Sequence, residues 1–271
     1  MAGSAVTEYL VSMGYDVLCA DIVHPNKPVC PYKLVDLTDL GQVYGVLAAM
    51  DHVVHFGGIA RPTLNTPDTV FRTNVMATFN VFEAVANLGI RRVVYASSKS
   101  VIGYPFQHQS FSPRYAPIDE EHPEGPQDAY AISKYIGEEI AKGFVRRMAG
   151  KLSVASLRLS WIHTPATFKD QIIPLQSFPA QAMSNLWTYV DSRDVAEATR
   201  LALEVDFDGH EAIFVAASDS FSLEPTADLV RKFYPHTQIR SGLEGSNSIL
   251  SISKARRVLG FTPKHSWSSY L

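Results

Sequence analysis

The stretch Arg92-Val-Val-Tyr-Ala-Ser-Ser98, followed downstream by Asp128-Ala-Tyr-Ala-Ile-Ser-Lys-Tyr-Ile-Gly-Glu138, decides the interpretation of this chain. The first run is short and apolar, as in a buried strand, and the second predicts a helix over 129–148. Tyr130 and Lys134 stand at positions i and i+4 of that helix, so they share a face. We therefore expect the lysine ammonium to lie beside the tyrosine side chain, near a strand end that carries Ser98.

Together these three side chains predict proton transfer at an alcohol or a ketone. A nearby cation favours phenolate and lowers the pKa of a tyrosine, which makes the phenol a usable base. A serine hydroxyl at a strand end can hold the reacting oxygen while a hydride leaves carbon. Because Tyr-x-x-x-Lys pairs are common on helix surfaces, the surrounding chain has to support this reading.

The composition bounds the class of protein. The chain has 271 residues, of which 46% are hydrophobic and 19% charged, as in one large α/β domain with at most a small appendage. A net charge of -3 gives no reason to expect nucleic acid or an anionic membrane as a partner. With no apolar run long enough to span a bilayer and no secretory signal, the sequence predicts a cytoplasmic protein.

The cysteines and histidines do not predict a disulfide or a metal site. There are two cysteines, and Cys19 lies in an apolar run, which predicts a buried, reduced thiol. The nine histidines show no metal-ligand spacing, so we predict no bound metal.

Alternating strand and helix patterns predict βαβ units and a doubly wound, largely parallel sheet. Ligands bind at the carboxyl ends of strands in such sheets. Asp21, Asp36, the pair Gly57-Gly58 and Ser98 all fall at predicted strand ends. We expect a Rossmann-like dinucleotide-binding domain over 1–160, and a small substrate lobe mixed with late sheet elements over 161–271.

Several of these strand-end residues suit a dinucleotide. An acid such as Asp21, at the end of the second strand, accepts hydrogen bonds from ribose hydroxyls and repels a 2′-phosphate, which favours NAD over NADP. Asp36 and Leu37 are predicted to face the adenine. Gly57-Gly58 would let the backbone approach the cofactor closely.

The glycine-rich phosphate loop is incomplete. Gly3 fits the last glycine of such a loop, at the start of a helix, but the strand and glycines that should precede it are missing from the sequence. Without the central strand, two neighbours would have unpaired backbone groups beside an apolar hole. Three explanations stay open: the true start lies upstream, the chain is this short and binds cofactor poorly, or another segment fills the gap.

The chain resembles the extended short-chain dehydrogenase/reductases, the NAD-dependent epimerase/dehydratase family. The resemblance covers nearly the whole chain and rests on the order and spacing of many weak motifs. These motifs are Gly3-Ser4, Asp21, Asp36-Leu37, His55-Phe56-Gly57-Gly58, Asn74-Val75, Ser97-Ser98, Tyr130-Ala-Ile-Ser-Lys134, Arg158, Tyr189-Val-Asp191, Asp194, and Leu259-Gly260-Phe261 with Pro263.

The resemblance implies roles for individual residues. It makes Tyr130 the acid/base, Lys134 the group that holds the nicotinamide ribose, and Ser98 the group that orients the reacting oxygen, with Ser97 as a rival. It implies that NAD is lined by Gly3, Asp21, Asp36, Leu37, Phe56, Gly57, Gly58, Ile59, Asn74, Tyr130 and Lys134. It also implies a homodimer formed by the helix over 69–88 and the helix that bears Tyr130.

Positions at which this sequence differs from the family's motifs limit the reactions that it can be expected to catalyse. Lys99-Ser100 replaces the acidic pair of the dehydratases, and only about thirty residues separate Arg158 from Asp191, which leaves little room for a nucleotide-sugar. The nearest likeness is to the uronate dehydrogenase branch, although Ala60 and Lys99-Ser100 depart from its pattern. Lys99 and Arg61 are interpreted as solvated charges in preference to an anion site.

The sequence thus predicts an NAD-dependent oxidoreductase acting on a hydroxyl or ketone of a small sugar-like or polar substrate. One alternative is a nucleotide-sugar 4-epimerase that retains its NAD. Another is a non-catalytic NAD-binding or scaffold protein, consistent with the broken phosphate loop.

Overall fold

The computed structural model describes residues 2–270, which contain ten strands and eight α-helices. The strands are β1 Cys19–Asp21, β2 Tyr32–Leu34, β3 His52–His55, β4 Arg92–Ser98, β5 Tyr115–Ala116, β6 Ser153–Leu159, β7 Ile162–His163, β8 Val190–Asp191, β9 His210–Val215 and β10 Gln238–Ile239. The helices are α1 Ala2–Ser12, α2 Leu40–Leu47, α3 Pro67–Leu88, α4 Ala129–Arg147, α5 Pro165–Thr167, α6 Ser192–Glu204, α7 Thr226–Phe233 and α8 Ser253–Leu259. Short 3-10 and π turns fill most of 168–185.

The centre of the fold is a parallel sheet in the order β3-β4-β6-β9. Alternate residues of β4 face opposite sides of it, as the period of a strand requires. Val93 and Tyr95 pack in a core shared with α3 and α4, whereas Val94 and Ala96 pack in a second core shared with α1 and α6. Apolar residues on both faces explain why the run reads as almost continuously hydrophobic. The predicted doubly wound α/β architecture is confirmed.

A slot divides this sheet from a second, smaller one. β1 pairs only with β2, and β3 pairs only with β4, so within residues 2–270 each has one edge without a strand partner. Residues of β1 and β3 line the same cavity, which places the two open edges on either side of the slot. Leu18 and Val54 contribute apolar side chains to its walls.

The slot bears on two sequence predictions. No segment among residues 2–270 inserts a strand between β1 and β3, so the explanation in which another segment fills the gap is wrong for the described chain. Cys19 was expected to be buried but is only half-buried, because β1 borders the slot rather than a neighbouring strand.

Within residues 2–270, no helix combines the length and apolarity needed to cross a bilayer. No cluster of three or more histidine, cysteine, aspartate and glutamate side chains suited to a metal ion occurs in the same part of the chain.

Candidate active site

A cavity of about 1750 Å³ runs along the carboxyl ends of the strands, from the slot to the turns over 168–185. Small-molecule sites commonly occupy roughly 300–1,000 Å³. This cavity is larger because the slot opens into it. Nine of the predicted site residues line its wall: Gly3, Asp21, Phe56, Gly57, Gly58, Ile59, Ser98, Tyr130 and Lys134.

Tyr130 and Lys134 occupy the first two turns of α4. Asp128 caps this helix, accepting hydrogen bonds from the backbone N–H groups of Tyr130 at 2.9 Å and Ala131 at 3.0 Å. Lys134 Nζ donates to the carbonyl oxygen of Ala96 at 2.8 Å and lies 5.7 Å from the centre of the Tyr130 ring. The pair shares a helix face, as the spacing predicts.

Burial, not the lysine, governs the ionisation of Tyr130 in this structure. Desolvation raises the pKa of Tyr130 to about 12, and the neighbouring Ser98 side chain opposes that shift. Burial also lowers the pKa of Lys134 to about 8. The expected lowering of the Tyr130 pKa is therefore not seen in this structure, where desolvation of the phenolate dominates.

The structure distinguishes Ser98 from its rival Ser97. The Ser97 hydroxyl donates to Glu138 Oε1 at 2.6 Å and is held on that buried carboxylate. Ser98 ends β4, where its Oγ accepts from the backbone N–H of Ser100 at 3.1 Å, and its side chain acts on the pKa of Tyr130. Ser98 is therefore the serine that is placed beside the phenol.

Asp21 reaches the cavity from the opposite side of the slot. It ends β1 and is exposed, with one carboxylate oxygen accepting from the backbone N–H of Val23 at 3.3 Å. Gly3 lies in the first turn of α1, where a Cβ would meet no atom within 4 Å. Space around Gly3 therefore gives no steric reason for a glycine at this position.

Three predicted cofactor residues do not line this cavity: Asp36, Leu37 and Asn74. The Asp36 carboxylate accepts from the backbone N–H of Thr38 at 2.8 Å and from its hydroxyl at 2.7 Å. Leu37 packs against Gly57, where an added Cβ would lie 2.3 Å from the leucine Cδ1. The structure thus gives Asp36 a turn-forming contact and Leu37 a packing contact.

Asn74 supports the loop that forms the cavity wall. Its Oδ1 accepts from the N–H of Ile59 at 2.7 Å, and its Nδ2 donates to the carbonyl of Ile59 at 3.0 Å and to Ser133 Oγ at 3.1 Å. Gly58 has φ of +145°, and a Cβ there would lie 2.9 Å from Asn74 Oδ1. Close packing against Asn74, rather than cofactor alone, explains the glycine at position 58.

A buried ion pair, not anticipated from the sequence, fixes α4 against the sheet. Arg158 on β6 donates to the two carboxylate oxygens of Glu138 at 3.0 and 2.8 Å, and both residues are buried. At Gly137, an added Cβ would lie 2.1 Å from the Tyr95 hydroxyl, so α4 lies directly on β4. The only available signal was the position of Glu138 one turn after Lys134, on the same helix face.

A strand-end serine beside a Tyr-x-x-x-Lys helix, in one cavity with a strand-end acid, defines the class of the short-chain dehydrogenase/reductases. The sequence profile of the NAD dependent epimerase/dehydratase family matches residues 1–217. The chain belongs to this family of NAD-dependent enzymes, and NAD is its cofactor.

Individual relatives agree with this assignment. The chain is 27% identical over 213 residues to uronate dehydrogenase of Pseudomonas putida, covering 76% of this chain and 69% of that protein. It is 28% identical over 251 residues to a putative UDP-glucose 4-epimerase of Methanocaldococcus jannaschii, covering 84% and 78%. A short-chain dehydrogenase/reductase superfamily protein of Agrobacterium tumefaciens, solved with bound NAD, matches the fold with a TM-score of 0.74 at 22% identity, covering 100% of this chain and 92% of that one.

Proposed function

We propose that this protein is an NAD-dependent oxidoreductase that acts on a hydroxyl or ketone of a small, sugar-like or polar substrate. The observation that carries the proposal is the shared cavity of Ser98, Tyr130 and Lys134. NAD accepts or returns the hydride when bound. Tyr130 moves the proton of the reacting oxygen, and Ser98 orients that oxygen.

The ionisation of Tyr130 gives this proton transfer a direction. A phenol with a pKa of about 12 is protonated at neutral pH, so it is ready to donate to a ketone oxygen. In the oxidation direction the phenolate is the base, and its fraction rises with pH. In this proposal Lys134 holds the nicotinamide ribose, and its hydrogen bond to the carbonyl of Ala96 supports that role by fixing the ammonium.

The cavity residues fit a dinucleotide. Asp21 offers a carboxylate for ribose hydroxyls, and the first turn of α1 presents backbone N–H groups beside Gly3. Gly57 and Gly58 also line the cavity, where the absence of side chains exposes their backbone to the cofactor. Leu37 and Asn74 lie outside this wall and support it through their contacts with Gly57 and Ile59, whereas Asp36 contacts Thr38.

The small substrate lobe supports a small substrate. Residues of the turns over 168–185 line the same cavity as Ser98, and Lys169 is the only lysine or arginine among residues 159–190. A diphosphate would need basic groups there. The resemblance to a uronate dehydrogenase supports a compact, polyhydroxylated substrate.

Formation of NADH tests the proposal against both alternatives. We expect net NADH from NAD and at least one member of a panel of polyols, aldoses and sugar acids. A 4-epimerase would interconvert UDP-glucose and UDP-galactose without net NADH. Binding of NAD by calorimetry without turnover of any substrate would favour the non-catalytic alternative.

Replacing Asp21 with alanine should relax the preference for NAD over NADP. Loss of the carboxylate removes both the ribose hydrogen bonds and the repulsion of a 2′-phosphate, so we expect the ratio of NAD to NADP affinity to fall about 10- to 100-fold. Calorimetric titration with each cofactor measures the ratio. The matched control is Asp16→Ala, an exposed acid that precedes the same strand and should leave the ratio within about twofold. An unaltered ratio in the Asp21 variant would refute the ribose contact.

We also propose a homodimer formed through α3 and α4. α3 exposes Phe71, Met76 and Phe79, with 38%, 41% and 41% of each residue accessible. The Phe79 ring lies 5.9 Å from that of Phe144, a buried residue of α4, so the exposed strip on α3 borders α4. Exposed apolar surface of this kind is typical of an interface.

Phe79→Glu should convert this dimer to a monomer. Burying a carboxylate at the centre of an apolar interface costs about 2 kcal/mol or more, which weakens dimerisation about 30-fold. Sedimentation equilibrium gives the dissociation constant. Leu223→Glu, at a residue that is 69% exposed and distant from α3 and α4 in sequence, is the control. Equal effects of the two substitutions, or a monomeric wild type, would contradict the proposed interface.

A further inference from the structure

Lys99 is a buried cation at the substrate end of the cavity. It follows Ser98 directly, is 2% exposed, and lines the cavity. Among the lining residues within 98–106 and 160–185, it is the only one that carries a charge. The sequence interpretation of Lys99 as a solvated charge is therefore wrong, whereas Arg61 is exposed as expected.

Neutral oxygens surround the Lys99 ammonium. Nζ donates to the carbonyl oxygen of Asn185 and to Thr188 Oγ1, each at 2.6 Å, and also to Asn185 Oδ1. Three oxygens match the three donors of an ammonium, and of these only the threonine hydroxyl has a proton of its own to offer a neutral amine. These acceptors favour the charged form, against the desolvation that lowers the pKa of Lys99.

The chain is shaped to bring these oxygens together. Leu186 and Trp187, between Asn185 and Thr188, have φ of 59° and 53°, a left-handed conformation that costs energy for residues with a Cβ. Both are fully buried, so packing enforces the turn. The Thr188 hydroxyl also accepts from Ser160 Oγ at 3.0 Å. The oxygen cluster is therefore a fixed part of the fold.

The charge of Lys99 has no counter-ion within the described chain. No carboxylate of residues 2–270 comes within 4.0 Å of its Nζ, and burial alone shifts the pKa of Lys99, to well below its usual value. A buried charge is stable only when it is paired, and an unpaired one favours arrival of the opposite charge. The cavity provides the route for such a partner.

We propose that Lys99 selects substrates that carry a carboxylate, and this inference rests on the proposed function for the location of the substrate. The carboxylate replaces the Asn185 side-chain oxygen on Nζ, which converts a neutral hydrogen bond into a charge-assisted one. Asn185 also lines the cavity, so this acceptor can be displaced from the substrate side. A single positive charge matches one carboxylate, whereas a phosphate dianion would leave a buried charge unpaired.

Binding to the NADH-loaded protein tests this assignment without turnover. The probes are D-glucuronate and D-galacturonate, each compared with its neutral counterpart, D-glucose or D-galactose, with D-glucose 6-phosphate as the phosphate arm. Calorimetry of the wild type should show preferred binding of at least one acid over its neutral counterpart. Lys99→Met should lower that preference roughly 10- to 150-fold. The matched control Lys169→Met, an exposed lysine of the same lobe, should not change it.

Asn185→Asp provides a second variant that keeps the lysine and nearly keeps the shape of the side chain. An internal carboxylate would pair with Lys99, so the preference for the acid should fall here as well. Equal affinity for acids and neutral sugars in the wild type, no measurable binding of either acid, tighter binding of the phosphate, or an undiminished preference in both variants would overturn the inference.

These outcomes are separable from those of the proposed function. If NADH forms from neutral sugars as efficiently as from acids, and depends on Tyr130, the oxidoreductase proposal is supported and the proposed role of Lys99 is contradicted. If binding of an acid depends on Lys99 but no substrate yields NADH, the anion site is supported and the oxidoreductase proposal is contradicted.

Discussion

Tyr130→Phe is expected to lower kcat about 10²- to 10⁴-fold while NAD affinity stays within about threefold of wild type. The substitution removes the oxygen that exchanges a proton with the substrate but keeps the ring that packs edge-on against Phe106, 6.2 Å away between ring centres. Steady-state kinetics with a substrate from the panel, together with calorimetry of NAD, measure the two quantities. Turnover within about threefold of wild type would refute the assigned role.

The pH profile makes the test of Tyr130 specific. Because its pKa of about 12 lies above neutrality, the phenolate fraction and the wild-type oxidation rate should rise roughly tenfold per unit between pH 6 and 8. Lys134, with a pKa of about 8, is almost fully charged at pH 6 and about half charged at pH 8, so its own titration affects the slope only at the upper end of the range. The residual activity of Tyr130→Phe should lose this slope. Tyr135→Phe, on the same helix but not on the cavity wall, is the control and should retain both rate and slope.

Glu138→Ala is expected to lower the free energy of unfolding by about 3–5 kcal/mol, which corresponds to a fall in Tm of roughly 10 °C. Removal of the carboxylate leaves the Arg158 guanidinium buried with only Glu124, whose side chain is 37% exposed, at 3.1 Å. It also removes the acceptor for the Ser97 hydroxyl. Urea denaturation provides the measurement.

Two further variants distinguish the effect of losing the ion pair from the effect of losing a glutamate side chain. Glu139→Ala, the neighbouring residue of α4, breaks an exposed ion pair with Lys142 and should cost less than about 1 kcal/mol. The double variant Arg158→Met with Glu138→Leu should recover much of the stability, since it leaves no unpaired charge. A loss below about 1 kcal/mol for Glu138→Ala would contradict the structural role of the pair.

Sequence periodicity was enough to predict the elements that carry the site. β4 has the predicted bounds, and α4 ends at Arg147, one residue before the predicted end. These elements have strong apolar patterns and clear caps, such as Asp128 at the start of α4. The short strand β2 at Tyr32–Leu34 was less predictable, because its residues are exposed and follow a proline-rich loop.

The electrostatics of the site could not be predicted in the same way. Spacing predicts that Lys134 and Tyr130 are neighbours, but how much water each loses depends on contacts distant in sequence, and those decide the pKa values. Lys99 shows the same limit: its burial depends on Asn185 and Thr188, more than eighty residues away along the chain. The contacts of Asn74 with Ile59 and of Leu37 with Gly57 were equally out of reach of the sequence, because they arise from tertiary packing.

On the cofactor side, the slot separates the two-stranded sheet of β1 and β2 from the four-stranded sheet. Asp21 belongs to the two-stranded piece, whereas Ser98 belongs to the four-stranded one. A dinucleotide that contacts both sheets would hold them together across the slot. A two-stranded sheet has little stability of its own, and a ligand that binds only the folded state stabilises it by an amount that grows with the logarithm of ligand concentration above Kd. Resistance of this protein to unfolding would therefore follow the NAD concentration of its surroundings, with the β1–β2 piece the first to loosen when the cofactor is scarce.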